Sequence, residues 1–505
     1  MGEKSEETAS YEGALDEKAS VVQAPQEHLT KRYNLLSVIA LAFTTTNSWV
    51  AFASGVAVPL ECGRGPGIVY GLIAAGVIMA IIGAGFAELA SAFPSAGGQY
   101  HIVFMVFPSS TRRAAAFFIG WVTIIYIMAA LASCNFFVAS SVFDTVSLWV
   151  DSYENEAWHT YLLHIALCIV AFFATSRYPA AIGRLGIGVF FLSLAGFIAS
   201  IVTLLTVSNE KQPGDMVFRE YKDISGWGDG FAMIIGITSC LWAYSGVDGP
   251  THLAEEVPKP SRNVPIAIFL TIGLGIVTVV AWIITLLFVV KDVDKVIESA
   301  VPILEVYNQA LGSRVATTIW SVYYMVMFYE IVLNLFIFGG RTVWSLSRDG
   351  GILFPRWFTH LEWGSSPVRA TAVMLVLEII IGVLYVASSA AYNSFINLTL
   401  FALNITTTLP QAVLLFRGRG ILPERAFSLG KFGPAINLLA TLFVILFSVT
   451  FCFPTAVPVN ATSMNYLVVV MAIALMFPAA FWWGGLKKTF TGPQDIIQTE
   501  YGFAS

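Results

Sequence analysis

Charge is what this sequence has least of. Only 12% of its 505 residues are Asp, Glu, Lys or Arg, against 57% hydrophobic residues and 38 phenylalanines, and the mean hydropathy is +0.75. A soluble domain of this length cannot cover its surface with so little charge, which excludes a globular soluble fold and leaves an all-α polytopic membrane protein. Ten-residue alternation of the barrel kind is missing, so the spans are helical. Cysteine is scarce too. The five residues are odd in number, and Cys134, Cys168 and Cys240 lie inside apolar runs, so there is no disulfide framework and no paired metal-ligand spacing; a Cys62–Cys452 bridge on the outer side is the one pairing left open. The sequence has no glycine-rich phosphate loop, no G-x-S-x-G elbow and no local His/Cys/Asp cluster, which excludes an ATP-driven pump and gives no support to a membrane enzyme. We expect no metal, no cofactor and no nucleic-acid partner. Residues 1–33 are polar and acidic and lack the apolar core of a signal peptide, so they read as a disordered cytoplasmic tail.

What is present is a set of twelve apolar stretches, each near the roughly 20 residues that cross a bilayer. They fall at about 35–60, 68–93, 114–143, 159–176, 184–207, 229–250, 264–290, 316–346, 370–390, 392–416, 434–453 and 465–486. Basic residues set their orientation. With an interior N-terminus, only seven of the 27 Lys and Arg fall outside (Arg64, Lys211, Arg219, Lys222, Lys291, Lys295 and Arg314) and twenty fall inside. Both termini are therefore expected in the cytoplasm, with the plasma membrane as the expected location. Asn460 of the Asn460-Ala461-Thr462 sequon then lies in an outer loop as a glycosylation acceptor, whereas the sequons at Asn397 and Asn404 lie within a span.

Two of the stretches are interrupted. The sixth breaks at Val247-Asp248-Gly249-Pro250, because Pro has no N–H and clashes with the preceding turn. The first carries Thr44, Thr45, Thr46, Asn47 and Ser48 at mid-depth, then Ser54-Gly55. Freed backbone groups cannot face lipid, so such breaks line a cavity or else end ordinary spans with solvated mouths; hydroxyls that bond back to their own helix are a further alternative for Thr44 to Thr46. Breaks in spans 1 and 6 occupy corresponding positions of two five-span halves, the signature of an inverted-repeat transporter with its site between the repeats. The expected organisation is a first repeat at 34–208, a second at 229–416 and two peripheral helices at 434–486, all within a transporter domain at 34–488, followed by a cytoplasmic tail at 489–505.

Three ordered motifs carry a resemblance. Glu88-Leu89, Pro94 and Gly97-Gly98-Gln99-Tyr100 follow the second span; Gly246 to Asp248 and LAEEVPKPSRNVPIAI follow the break of the sixth; Arg341-Thr342-Val343-Trp344-Ser345-Leu346-Ser347-Arg348-Asp349-Gly350 and Pro355 follow the eighth. Together they resemble the amino acid, polyamine and organocation transporter superfamily over nearly the whole chain. Thr46-Asn47-Ser48-Trp49 and Asp248-Gly249-Pro250-Thr251-His252-Leu253-Ala254-Glu255-Glu256 are most similar to its fungal amino acid/choline branch, which includes choline and γ-aminobutyrate permeases. The resemblance implies a five-plus-five inverted repeat with helices 1 and 6 unwound and two helices packed outside. Amino-acid transporters of the superfamily usually have a glycine-rich break in helix 1, whose bare N–H groups cradle a carboxylate. Asn47-Ser48-Trp49 stands there instead, which favours an amine without a carboxylate.

The substrate-binding candidates are Thr46, Asn47, Ser48 and Trp49 at the first break and Trp242, Tyr244, Ser245, Gly246 and Asp248 at the second. Tyr126 and Tyr323-Tyr324 are further aromatics near the breaks, where an ammonium over a ring gains roughly 0.5 to 2 kcal/mol; rings at helical spacing also simply pack helices. Asp248 and Glu330 are the proton-coupling candidates. Glu330 and Glu378, mid-span, must be protonated, paired or facing water, and Glu378 reads as an interhelical hydrogen-bonding residue. Span 5 contains no Lys or Arg in its interior. Glu88, Glu255, Glu256, Arg262, Arg341 and Arg348 either pair to close a cytoplasmic gate or are solvated loop charges. The expected function is secondary active transport of a small amine or amino acid (choline, γ-aminobutyrate, amino acid or polyamine class) by alternating access, coupled to protons. The alternatives are an exporter of an amine or alkaloid, and a nutrient sensor that does not transport.

Overall fold

The computed structural model describes residues 34–363, 366–387, 389–459 and 464–493. Asn460, the tail at 1–33 and most of the tail at 489–505 lie outside the described residues. Every regular element described is helical, apart from one bridge pair, Glu362–Ser366. Among the described residues, twelve helices are long and apolar enough to cross a membrane: Leu35–Ser54, Ala57–Ala92, Arg112–Ser147, Ala157–Arg177, Pro179–Val207, Asp229–Glu256, Pro260–Val289, Arg314–Arg348, Val368–Val386, Asn397–Arg417, Gly430–Thr450 and Leu467–Thr489, here spans 1 to 12.

Burial sorts the spans into layers. In span 1, 83% of the apolar stretch is buried, and spans 3 and 8 are buried nearly as deeply; in span 12 the share is 17%. Spans 4, 5, 9, 11 and 12 turn exposed Val170, Phe173, Ile198, Ile380, Ile445 and Phe477 outward, as a lipid-facing ring requires, since lipid offers apolar side chains no reason to hide. Spans 12, 4 and 11 are the least buried, at 17%, 22% and 28%.

Packing is reciprocal between the two halves. Span 2 packs on span 7, span 3 on span 8 and span 4 on span 9. The contact of span 1 with span 7 has its counterpart in span 6 with span 2, and that of span 3 with span 9 in span 8 with span 4. Exchange of partners under one operation is what two five-span units related by a pseudo-two-fold axis produce.

Contacts between connections show the alternation of the spans. At the face where span 1 begins, here proximal, Arg113 donates to the carbonyl of Phe490 and Arg417 to that of Val106. At the distal face, Trp227 donates to the Pro454 carbonyl and Arg314 reaches Asp151. A short buried helix, Gln99–Val106, folds back into the proximal side, and Pro302–Leu311 caps the distal side. The Cys62–Cys452 pairing does not form. Both thiols are free; Cys62 is buried with Ala232 and Ile235, and the Cys452 thiol donates to the Ser448 carbonyl.

Candidate functional site

Span 1 is helical to Thr46, turns through Asn47 in the left-handed region (φ 30°, ψ 57°), and resumes at Ser48–Ala51. An asparagine is among the few residues that tolerate this conformation. Thr44 and Thr45 donate back to the Leu41 carbonyl, whereas Thr46 Oγ1 has no hydrogen-bond partner. In span 6 the α-helix Asp229–Cys240 tightens to a 3₁₀ turn over Leu241–Tyr244, and a second 3₁₀ segment runs over Gly249–Glu256. The break therefore lies at Ser245–Gly246, ahead of the Gly249-Pro250 pair that the sequence pointed to. Pro250 occupies the first turn of the second segment, where its missing N–H costs nothing. Gly246 has φ +87°, and a Cβ there would meet Thr45 Cγ2 at 3.3 Å, so only glycine lets the two breaks approach this closely.

Between the breaks lies a cavity lined by Thr46, Trp242, Ser245, Gly246 and Asp248 among the sequence candidates, with Tyr126, His252, Ile331 and Phe338 closing it. It is narrow. Its volume is about 30 Å³, room for roughly two waters. Asn47, Ser48, Trp49 and Tyr244 do not line it. Trp49 Nε1 donates to Ser193, whose hydroxyl donates to Asn47 Oδ1, tying the first break to span 5. The Trp49 ring sits 5.7–6.1 Å from Phe197, Trp282, Tyr323 and Tyr324, and the Tyr324 and Tyr307 hydroxyls meet at 3.1 Å. This aromatic cluster packs span 1 against spans 5, 7 and 8. The Tyr244 hydroxyl braces span 2 through the Leu72 carbonyl.

Asp248 is buried, and its side chain does not cap the helical segment that follows it. Its Oδ2 instead accepts from Gln99 Nε2 and the Tyr126 hydroxyl, and faces His252 Nε2 at 3.2 Å. His252 Nε2 also lies 3.2 Å from the Tyr126 hydroxyl, and its Nδ1 lies 3.2 Å from Thr342 Oγ1, which is 2.9 Å from the Phe338 carbonyl, so the ring bridges Asp248 to span 8. Sequence alone gave no reason to single out His252 or Gln99 beyond the motifs that contain them. Glu330 lies one residue from the cavity wall at Ile331, buried, with Oε1 free of hydrogen bonds and close to where a Gly186 side chain would project.

The proximal charges are paired. Glu88 accepts from Arg419, Arg425 and the Leu429 N–H; Arg341 pairs with Glu256 and Arg348 with Glu255. Arg262 is exposed. Tyr100 donates to Asp349 at 2.8 Å, fastening the re-entrant helix to the end of span 8.

Against known proteins, residues 33–475 match the amino acid permease family. The chain belongs to that family. The permease is 30% identical to the choline transporter of Saccharomyces cerevisiae over 96% of this chain and 87% of that one. It is 25% identical to the swainsonine transporter of Arthroderma benhamiae, over 92% and 93%. A solved nucleobase-cation-symport-1 family transporter, Mhp1, with bromovinylhydantoin bound, aligns over 93% of this chain and 97% of its own at 14% identity and a TM-score of 0.47. The permease is a multi-pass membrane protein and a secondary transporter, not an enzyme.

Proposed function

We propose that this permease carries a small cationic or zwitterionic amine of the choline, γ-aminobutyrate, amino acid or polyamine class through the cavity between spans 1 and 6, coupled to protons by Asp248. The observation that carries this proposal is the buried Asp248–His252 pair, 3.2 Å apart in the cavity wall beside Trp242 and Tyr126. We read it as the proton site: a cation arriving there competes with a proton for the carboxylate, so its approach favours proton release and its departure favours proton return. Such reciprocal linkage biases the outward- and inward-open states. Trp242 supplies a ring face for an ammonium, and Thr46 Oγ1, unpartnered, supplies a polar contact. Glu330 is the alternative carrier. The proximal side, closed by ion pairs, is taken as cytoplasmic and the membrane as the plasma membrane. A relative named a swainsonine transporter supports a second reading, movement of an alkaloid or amine product, since alternating access runs in either direction. The test is uptake of labelled choline, γ-aminobutyrate, polyamines and amino acids by permease-deficient cells expressing the chain, at several external pH values, with efflux from preloaded cells alongside. Acid-stimulated uptake of one amine is expected; pH-independent uptake overturns the coupling.

A further inference from the structure

We propose that His164, Cys168 and Glu378 form a binding site for one divalent metal ion of the zinc class, inside the membrane-spanning bundle and separate from the substrate cavity. His164 and Cys168 stand four residues apart on one face of span 4, and Glu378 comes from span 9. All three side chains are buried, and one ligand atom from each lies within 4.8 Å of the others. Cys168 Sγ is 3.7 Å from His164 Nε2, and Nε2 is 4.0 Å from a Glu378 oxygen. With Zn–S about 2.3 Å and Zn–N or Zn–O about 2.0–2.1 Å, the corresponding edges of a tetrahedron are about 3.6 and 3.4 Å. The first edge is already in place, and the second needs a movement of about half an ångström.

Electrostatics points the same way. Both carboxylate oxygens of Glu378 are buried without a hydrogen-bond partner, a costly condition in hydrocarbon. A divalent ion bound to the carboxylate relieves that condition. Thiolate, carboxylate and neutral imidazole around a 2+ charge sum to zero, so the whole site enters the apolar interior uncharged. The mixed sulfur, nitrogen and oxygen set suits zinc better than calcium or magnesium, which take oxygen alone.

A supporting shell is present as well. Asn135 on span 3 places Nδ2 2.9 Å from His164 Nδ1, while its Oδ1 has no partner. The same Nδ2 donates to the His164 carbonyl at 3.0 Å and lies 3.1 Å from Cys168 Sγ, so one amide positions two of the three ligand residues. Ligation through His164 Nε2 would replace the 3.3 Å contact of that nitrogen with the Glu378 carbonyl. Phe136 stacks on the imidazole at 4.1 Å and 5°, which holds the ring plane. The metal would fasten span 4 to span 9, its partner in the other half of the chain, and so stiffen the scaffold against which spans 1 and 6 move.

The test uses the full chain, purified in nanodiscs with a tag free of histidine after growth with added zinc. Elemental analysis by plasma mass spectrometry should find about one zinc per chain, falling at least tenfold in Cys168→Ser and Glu378→Gln. Replacement of zinc by Co2+ in the unmutated protein should give a thiolate-to-cobalt charge-transfer band, and zinc-edge X-ray absorption should show one sulfur in the first shell. These two measurements need no variant to fold. Zinc well below one per chain, a first shell without sulfur, or zinc retained in both variants overturns the site.

Discussion

The Tyr126 hydroxyl on span 3 donates to the Asp248 carboxylate in the break of span 6, on the same oxygen that faces His252. The proposed proton site is thereby tied to span 3, so a change in the charge of the pair should be felt between spans 3 and 6. Removing that charge should separate coupling from passage. Asp248→Asn is expected to abolish proton-driven accumulation while retaining gradient-independent exchange; His252→Gln should do the same, and Tyr126→Phe should reduce accumulation without abolishing it. Full accumulation in Asp248→Asn would rule the residue out and transfer the role to Glu330, for which Glu330→Gln is the matching variant.

The two break tryptophans are expected to part company. Trp242 lines the cavity with its Nε1 anchored to the Ala51 carbonyl and Ser54. Trp242→Leu removes the π face and should weaken substrate binding by roughly 1 to 2 kcal/mol, about five- to thirtyfold in apparent affinity. Trp49 is buried in the distal aromatic cluster, so Trp49→Leu should leave affinity nearly unchanged and alter the rate of distal opening. Equal losses of affinity in the two variants, measured by substrate competition, would place Trp49 at the substrate after all.

Spans and breaks were legible because hydropathy and backbone chemistry are local properties. The position of the second break was not. Gly249-Pro250 is the louder signal, but a proline in a first turn starts a helix as readily as it ends one, and the bend falls where Gly246 reaches φ +87°. His252 stayed silent for a different reason. A lone histidine between Thr251 and Leu253 reads as loop until its four-residue offset from Asp248 is wound into a 3₁₀ segment. Trp49 adjoins a break in sequence, yet the turn at Asn47 swings it toward span 5, a direction set by tertiary packing. Glu378 could not be joined to His164 and Cys168 because it lies more than two hundred residues downstream.

Acid should loosen the proximal side through His101. This residue lies on the re-entrant helix, outside the spans, with both ring nitrogens buried and unpartnered. Burial lowers its pKa to about 4, with Glu255 opposing and Arg348 adding to the shift. The unfolded chain, with an ordinary value near 6.5, binds more protons between these limits. The stabilising contribution is therefore complete above about pH 6.5 and is lost as pH falls toward 4, by about 3 kcal/mol in all. The unfolding midpoint in detergent should drop from pH 7 to pH 5, and His101→Leu, which forfeits no hydrogen bond, should flatten that drop. An equal drop in the variant would assign the acid sensitivity to other groups.

The orientation expected from the basic residues has its own measurement. Reporter fusions at residue 505 should be protected inside the cell, and Asn460 should acquire an endoglycosidase-sensitive glycan that Asn460→Gln removes. A reporter on the outer surface would reverse the assignment of the faces.

The pairing of Arg348 with Glu255, at 3.3 Å, joins the ends of spans 8 and 6 on the proximal side, beneath the cavity. Both side chains are only partly exposed, at 16% and 22%, so the pair is worth more than a surface ion pair but is still screened, on the order of 1 kcal/mol. If it holds the proximal side shut, Arg348→Gln should raise the proximal-open population about fivefold, the equivalent of that energy. A cysteine at Ala130, a cavity-lining position, reports this as faster labelling by a membrane-impermeant thiol reagent in inside-out vesicles. The exchanged pair Glu255→Arg with Arg348→Glu should restore slow labelling, because the attraction is rebuilt with the partners reversed. Arg348 also lies 3.7 Å from Asp349, so the reversed pair sets a new glutamate beside that aspartate and the restoration should be partial. Unchanged labelling in Arg348→Gln would leave closure to the more buried Arg341–Glu256 pair and to the Tyr100–Asp349 hydrogen bond.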